Sequence, residues 1–394
     1  MEKESRYLLH LLGAYIRNRE PEVWQEINWR KLTELAHIHN LLGTLGYMTM
    51  TYPVCPDREL CALLRSHCMT NLLNFANRGE LADNFSQTLS EQQIDHIIMK
   101  GFVLREFYPV PELRTFGDID LVIRPEDRGR CHALMQQLGF QVKTDWEPVY
   151  SYLKDSEFYE IHTELLETDV SEKADYRSYF RDLWAHVTEV GEHRYQFVPE
   201  YHFLYMLVHI AKHVTGSGAG LRMYLDVAVF MRHYADSLDW ERISRELEKL
   251  KLAVFANTVL TLVQEAFGIN SPMELRPIPE QTLDSFLEFT VDGGIFGRNS
   301  RDSGVNSLKD ESRSSGEISR AGTIVRRLFP SARSIQSRYT YLQDKPWLLP
   351  AAWVHRLIRT KDKLRDHALE VQNILSADQD EVQRLNTLYE QIGL

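Results

Sequence analysis

Apolar residues recur at helical spacing from about residue 4 to 90, as in YLLHLLGAYI and LCALLRSHCMTNLLNFANRGELADNF, with no alternating segment between them. The polar run Ser90-Glu91-Gln92-Gln93 ends this stretch, and the period changes. DHIIMKG has the short apolar pattern of a buried strand, GFVLREFY gives a helical turn or two, and DIDLVI reads as a second strand. PEDRGRCHALMQQLGF carries a full set of helix signals, with Pro125 at the start, Glu126 and Asp127 in the first turn, and Gly139 at the end. FQVKT, PVYSYLK and FYEIHTEL follow as β segments. Beyond Pro199 the helical period returns in YHFLYMLVHIAKHV, LRMYLDVAVFMRHYA, WERISRELEKLKL and VFANTVLTLVQEAF.

The expected fold class is α+β, with a small mixed-sheet core flanked by N-terminal and C-terminal helical regions. We divide the chain into an N-terminal helical region (1–92), an α/β core (93–198) and a helical domain (199–291). A linker or loop rich in Gly, Ser and charge (292–322) leads to a basic, aromatic-rich helical tail (323–394).

Composition narrows the class of protein. The 394 residues are 43% hydrophobic and 26% charged, as in ordinary globular chains. Cys55, Cys61, Cys68 and Cys131 form no CxxC pair and read as core thiols of a reducing compartment. The first residues, MEKESRYLLHLLGAYIRN, have acids before a short apolar run and no small-residue cleavage site, so a cytoplasmic protein is expected. No window is apolar enough for a spanning helix. A net charge of −11 argues against a general nucleic-acid coat.

Against this background RTFGDIDLVI stands out, because it puts Asp118 and Asp120 into an apolar run with only Ile119 between them. In a strand, residues i and i+2 share a face and lie about 6.5–7 Å apart, so both carboxylates point one way and Ile119, Leu121 and Ile123 point the other. Two carboxylates about 4 Å apart at an effective dielectric near 20 repel by about 4 kcal/mol. A divalent cation relieves that conflict, and Mg²⁺ takes hard oxygen donors together with substrate phosphates. The plainer reading has one aspartate capping the next helix and the other pairing with Arg114.

Two neighbouring elements add weight to the metal reading. In IIMKG, Lys100 and Gly101 leave a strand and open a helix, where free amides and an ammonium suit a phosphate. In FYEIH, Glu160 and His162 share a strand face, and Glu160 completes a three-carboxylate site if its strand lies beside DID. As a plainer alternative, Glu160 is a solvated edge residue and His162 a packed histidine that orients it.

The order KG, DIDL, helix, LGF and EIH resembles the uncharacterised bacterial nucleotidyltransferase family of the DNA polymerase β-like superfamily. The resemblance extends to INWRKLTELAHIHNLLGTLGY, to HIAKHV, to LRMYLDVAVFMRHY followed by DWERI, and to the tail segment RRLFPSARSIQSRYTYLQDKPWLLPAAWVHRLIR. It implies a nucleotidyltransferase core, Asp118, Asp120 and Glu160 as catalytic metal ligands, and one or two Mg²⁺ ions with an NTP as substrate. Lys100 and Gly101 would meet the β- and γ-phosphates, while Arg114 would orient the aspartates or touch the triphosphate. The superfamily usually has Gly-Ser or Gly-Gly where this chain has Lys-Gly. The acceptor is left open among small molecules, saccharide precursors, peptides and RNA. A non-catalytic nucleotide-binding or scaffold protein is the alternative.

His209 and His213 are four apart with Lys212 beside them; they read as a nucleotide-facing basic patch, as a zinc-type pair or as packing. Lys212 and His213 are the nucleotide-binding candidates there, and His162 and His209 are candidates to support the metal ligands. Arg222 and Asp226 have the spacing of an i,i+4 ion pair. In the tail, basic residues far outnumber acidic ones between Arg320 and Asp366. There Trp347, Leu348, Leu349, Trp353, Leu357 and Ile358 alternate with Lys345, Arg356, Arg359 and Lys361, which suits peripheral contact with an anionic membrane or a flap over the acidic body.

Overall fold

The computed structural model describes residues 1–167, 170–171, 173–216, 218–293, 305, 308, 319–335, 339, 341–359 and 364–394. Most of the linker expected at 292–322 lies outside these residues.

The helical start resolves into α1 (Lys3–Ile16), α2 (Trp29–Ile38), α3 (Leu42–Thr51) and the long α4 (Arg58–Glu91). Side-chain caps fix two of the starts: Asn28 accepts from the Lys31 amide, and Asp57 accepts from the Glu59 and Leu60 amides at 3.0 Å. After β1 (His96–Met99) come the one-turn α5 (Gly101–Leu104), β2 (Ile119–Ile123), a 3₁₀ turn at Pro125–Asp127 and α6 (Arg128–Gln137). Gly139 follows α6 at φ +84°, a conformation that ends a helix at little cost only without a Cβ.

β3 (Gln141–Trp146), β4 (Val149–Lys154), β5 (Glu157–His162), α7 (Tyr176–Phe180), β6 (Val187–Gly191) and β7 (Arg194–Phe197) complete the core. The sheet has seven strands in the order β3-β4-β5-β2-β1-β7-β6. β2 runs antiparallel to β1 and parallel to β5, and β7 runs parallel to β1, so the sheet is mixed as expected.

Alternation along the strands divides the core in two. Ile98, Ile119, Leu121, Ile123, Tyr159 and Ile161 face Ala82, Phe85 and Leu89 of α4 and Leu134 and Met135 of α6. Ile97, Met99 and Val122 face the larger helical core. That core is built by α1, α8 (Pro199–Thr215), α9 (Leu221–Tyr234), α10 (Trp240–Lys249) and α11 (Ala253–Phe267), joined by α12 (Glu280–Gly293). Asp120, Glu160 and His162 lie at the positions that turn toward α8, so the polar residues of the central strands are enclosed by helices.

In the tail, α13 (Arg320–Leu328), α14 (Ala332–Ile335), α15 (Tyr341–Asp344), α16 (Leu349–Arg359), α17 (Leu364–Ser376) and α18 (Gln379–Gln391) follow. The last helix is part of the main core: Leu385, Leu388, Tyr389 and Ile392 are buried, and the Tyr389 hydroxyl donates to the Val214 carbonyl of α8 at 2.8 Å. Residues 320–359 instead leave Val325, Phe329, Trp347 and Val354 exposed, Trp347 at 73%. Trp353 donates to the Pro330 carbonyl and stacks edge-on with Phe329, which ties the end of α13 to α16. No helix among the described residues is long and apolar enough to cross a membrane.

Candidate active site

Parallel pairing of β2 with β5 sets Asp120 opposite Glu160 and Val122 opposite His162. Neighbouring strands lie about 4.8 Å apart, so two carboxylates on one sheet face come close together. Ligating atoms of Asp120, Glu160 and His162 all lie within 4.8 Å of one another. Asp118, just before β2, is half-buried and lines the same cleft, outside that closest cluster.

Asp120 is the most tightly held of the carboxylates. Its Oδ1 accepts from Lys100 Nζ at 2.5 Å and from His162 Nε2 at 2.9 Å. Burial opposes its charge, but the Lys100 ammonium and then His162 keep its carboxyl well below the usual range. Among the described residues no lysine or arginine is in ion-pair contact with Glu160. Burial, then Asp120 and Asp118, push its carboxyl up to about 7. Burial and then Asp120 also raise Asp118.

Burial lowers His162, so the ring is neutral at pH 7. A neutral ring that donates from Nε2 to Asp120 leaves Nδ1 as a bare acceptor, and this buried nitrogen has no hydrogen-bond partner. Two carboxylates, with one ammonium in contact between them, and an imidazole at one point form a donor set that fits a divalent cation. The two carboxylates supply the hard oxygens that Mg²⁺ prefers. His162 either adds a nitrogen donor or fixes the orientation of Asp120.

The turn into this site is strained. Lys100 has φ +56° and ψ −134°, a conformation that costs a side-chain-bearing residue about 1–3 kcal/mol. In return Met99 ends β1 opposite Asp120 and the Lys100 side chain reaches the carboxylate. Gly101 follows, where a Cβ would meet Arg114 Nη1 at 2.6 Å and Phe116 Cβ at 3.1 Å. Glycine is required here by the guanidinium packed against it.

Arg114 takes a different partner from the aspartates of the DID strand. It forms a buried two-point pair with Asp226, Nε to Oδ1 at 2.8 Å and Nη2 to Oδ2 at 2.5 Å, and the Tyr108 hydroxyl donates to the same Oδ1 at 2.7 Å. The i,i+4 pair expected between Arg222 and Asp226 is replaced by this arrangement. Arg222 donates through Nη1 to the carbonyl and hydroxyl of Thr115, both at 2.9 Å.

Helices α8 and α9 roof the cleft, whose volume is about 630 Å³. Tyr205, His209 and His213 repeat at four-residue spacing along the α8 face that looks at Lys100 and Asp120, with Lys212 beside them. Burial and then Lys100 push His209 well below its ordinary value and His213 to about 4. Both rings are therefore neutral hydrogen-bonding groups at pH 7, and the cationic charge on this side comes from lysine and arginine. Leu104, Phe116, Leu165 and Met206 supply apolar wall.

Sequence reasoning placed Lys100, Gly101, Asp118, Asp120, Glu160, His162, His209, Lys212 and His213 on this cleft, and all line it. It missed Tyr205 and His202, four and seven residues before His209 on the same helix, and it gave Arg222 to Asp226.

Residues 25–268 match the family described as "Uncharacterised nucleotidyltransferase". No curated protein matches the chain. The solution structure of the antibiotic-resistance factor ANT(2'')-Ia is similar over 45% of this chain and 91% of that one, at 16% identity and a TM-score of 0.33. The family match spans α2 to the end of α11 and includes every cleft residue named above, so the chain belongs to this uncharacterised nucleotidyltransferase family.

Proposed function

We propose that the protein transfers a nucleoside monophosphate from an NTP to an acceptor hydroxyl and releases pyrophosphate. The observation that carries this reading is the register match of Asp120 with Glu160 beside the Lys100-Gly101 turn, in a cleft of about 630 Å³. That volume falls within the roughly 300–1,000 Å³ of small-molecule sites.

Asp118, Asp120 and Glu160 would hold one or two Mg²⁺ ions, which when bound neutralise charge on the triphosphate and on the attacking oxygen. The chain's own residues do the rest. Lys100 and Gly101, with Lys212 and His213 from α8, receive the phosphates. His162 fixes Asp120 through Nε2. Glu160, the register partner of Asp120 without an ammonium in contact, is suited to accept the proton of the acceptor hydroxyl. Tyr205 and the neutral His209 close the α8 side and exclude water.

Thermal-shift measurements test this reading. Wild type gains stability from an NTP with Mg²⁺, more than from either alone, and Glu160→Gln loses most of that gain. Absence of stabilisation by every NTP would leave a non-catalytic scaffold as the better account.

The tail supports a second, separate reading, peripheral contact with an anionic lipid surface. Exposed Val325, Phe329, Trp347 and Val354 accompany Arg326, Arg327, Lys345 and Arg356 on an otherwise acidic chain. Flotation with phosphatidylserine vesicles, but not with phosphatidylcholine alone, is the expected result, and Trp347→Ser weakens it. Equal flotation of the variant removes this reading.

A further inference from the structure

Arg114 and Arg222 donate to the same acceptor, the Thr115 carbonyl, at 2.5 and 2.9 Å. Two guanidinium groups sharing one oxygen are close neighbours, and each disfavours the charge of the other. Asp226 is in contact with only one of them: both of its oxygens are taken by Arg114, while Oδ1 also accepts from Tyr108. Arg222 is left with a carbonyl and a hydroxyl. Among the described residues it has no carboxylate in ion-pair contact.

This leaves the half-buried Arg222 guanidinium on the cleft wall without a carboxylate in contact among the described residues. Burial and then Arg114 lower Arg222 to about 10, while Asp226 and Asp118 act in the opposite direction. Its surroundings show where an anion would sit. Thr115 leads through Phe116 and Gly117 to Asp118, and Arg114 lies directly beneath Gly101 of the Lys100 turn. Arg222 therefore lines the same cleft as the turn expected to meet phosphate and as Asp118, the first carboxylate of the DID segment.

We infer that Arg222 binds the terminal phosphates of the NTP and holds the pyrophosphate leaving group. The inference rests on the nucleotidyl-transfer reading above and adds a binding residue to it. In that reaction the acceptor oxygen bonds to the α-phosphorus, the bond from that phosphorus to the bridging β-phosphate oxygen breaks, and its electron pair stays on pyrophosphate. The hydroxyl proton passes to Glu160. Charge thus grows on the oxygens nearest Arg222, and a guanidinium fork suits a phosphate through paired N–H donors. Arg114 and Tyr108 keep Asp226 occupied, so that Arg222 stays available.

Inorganic tripolyphosphate is the direct probe, measured by calorimetry on the full chain at fixed salt. Wild type is expected to bind it, Arg222→Gln about ten- to a hundred-fold more weakly, and Arg222→Lys in between, because lysine keeps the charge but loses the fork. NTP without metal should displace tripolyphosphate. Simultaneous binding of both would assign the anion site to a phosphate-bearing acceptor and overturn the assignment to NTP. Unchanged tripolyphosphate affinity in Arg222→Gln and Arg222→Lys, with NTP and Mg²⁺ still stabilising wild type, overturns the inference and leaves the proposed function standing. Wild type that binds neither tripolyphosphate nor any NTP overturns both.

Discussion

Glu160 lies beside Asp120 as its register partner on the neighbouring parallel strand, and His162 reaches back from the same strand to the Asp120 carboxylate. Only Asp120 is neutralised by this arrangement, through Lys100. The charge of Glu160 is therefore an energetic liability of the metal-free protein, and this has a measurable consequence.

Without divalent metal, ionisation of Glu160 opposes folding, because its carboxyl is raised from 4.5 to about 7 in the folded chain. The stabilising effect of the protonated form is complete below about pH 4.5 and is lost as pH rises through 7. In EDTA, Glu160→Gln should match wild type near pH 4 and exceed it at pH 8 by about 1–3 kcal/mol. Denaturant titrations at the two pH values check this, and added Mg²⁺ should reduce the difference at pH 8.

Asp226 is enclosed by Arg114 and Tyr108. Asp226→Ala leaves a buried guanidinium without a counter-charge, and a loss of about 3–5 kcal/mol is expected. The double variant Arg114→Leu, Asp226→Leu should recover much of it, because the unpaired charge is gone. Urea denaturation of the three proteins measures both effects; a double variant no better than the single one would locate the loss in packing.

Gly101→Ala sets a methyl group against the Arg114 guanidinium, which is fixed by Asp226 and cannot swing aside. Overpacking of this kind costs about 1–3 kcal/mol. A variant as stable as wild type would mean that the Lys100 turn can shift freely.

Tyr389 joins the last helix to the end of α8, the helix that carries Tyr205, His209 and His213. Tyr389→Ala removes a fully buried aromatic ring and is expected to cost about 3–5 kcal/mol. Amide exchange should speed up through the last turns of α8 before the rest of the sheet responds. Uniform loss of protection throughout would show global unfolding with no local coupling.

Several of these relationships were legible in the sequence. The period of two in DIDLVI and FYEIH separates an apolar face from a carboxylate face whatever surrounds the strands, so Asp120, Glu160 and His162 could be assigned to one side in advance. Arg114 with Asp226 could not, because the two lie 112 residues apart and local spacing favoured Arg222 as the partner. β6 gave little signal because it is an edge strand whose residues are largely exposed, so no core alternation marks it. In the tail, charge dominated the reading. It obscured the spacing of Leu385, Leu388, Tyr389 and Ile392, which is that of a helix docked on a core.

The central claim is tested most directly by following label from NTPs that carry it on the α- or on the γ-phosphorus, in a cell lysate supplied with the pure protein and Mg²⁺. The account predicts that α-label moves onto an acceptor and γ-label appears in pyrophosphate. It also predicts that Asp120→Asn and Glu160→Gln, each confirmed folded by circular dichroism, do neither. Movement of γ-label onto an acceptor, or undiminished α-transfer by the folded variants, would contradict it.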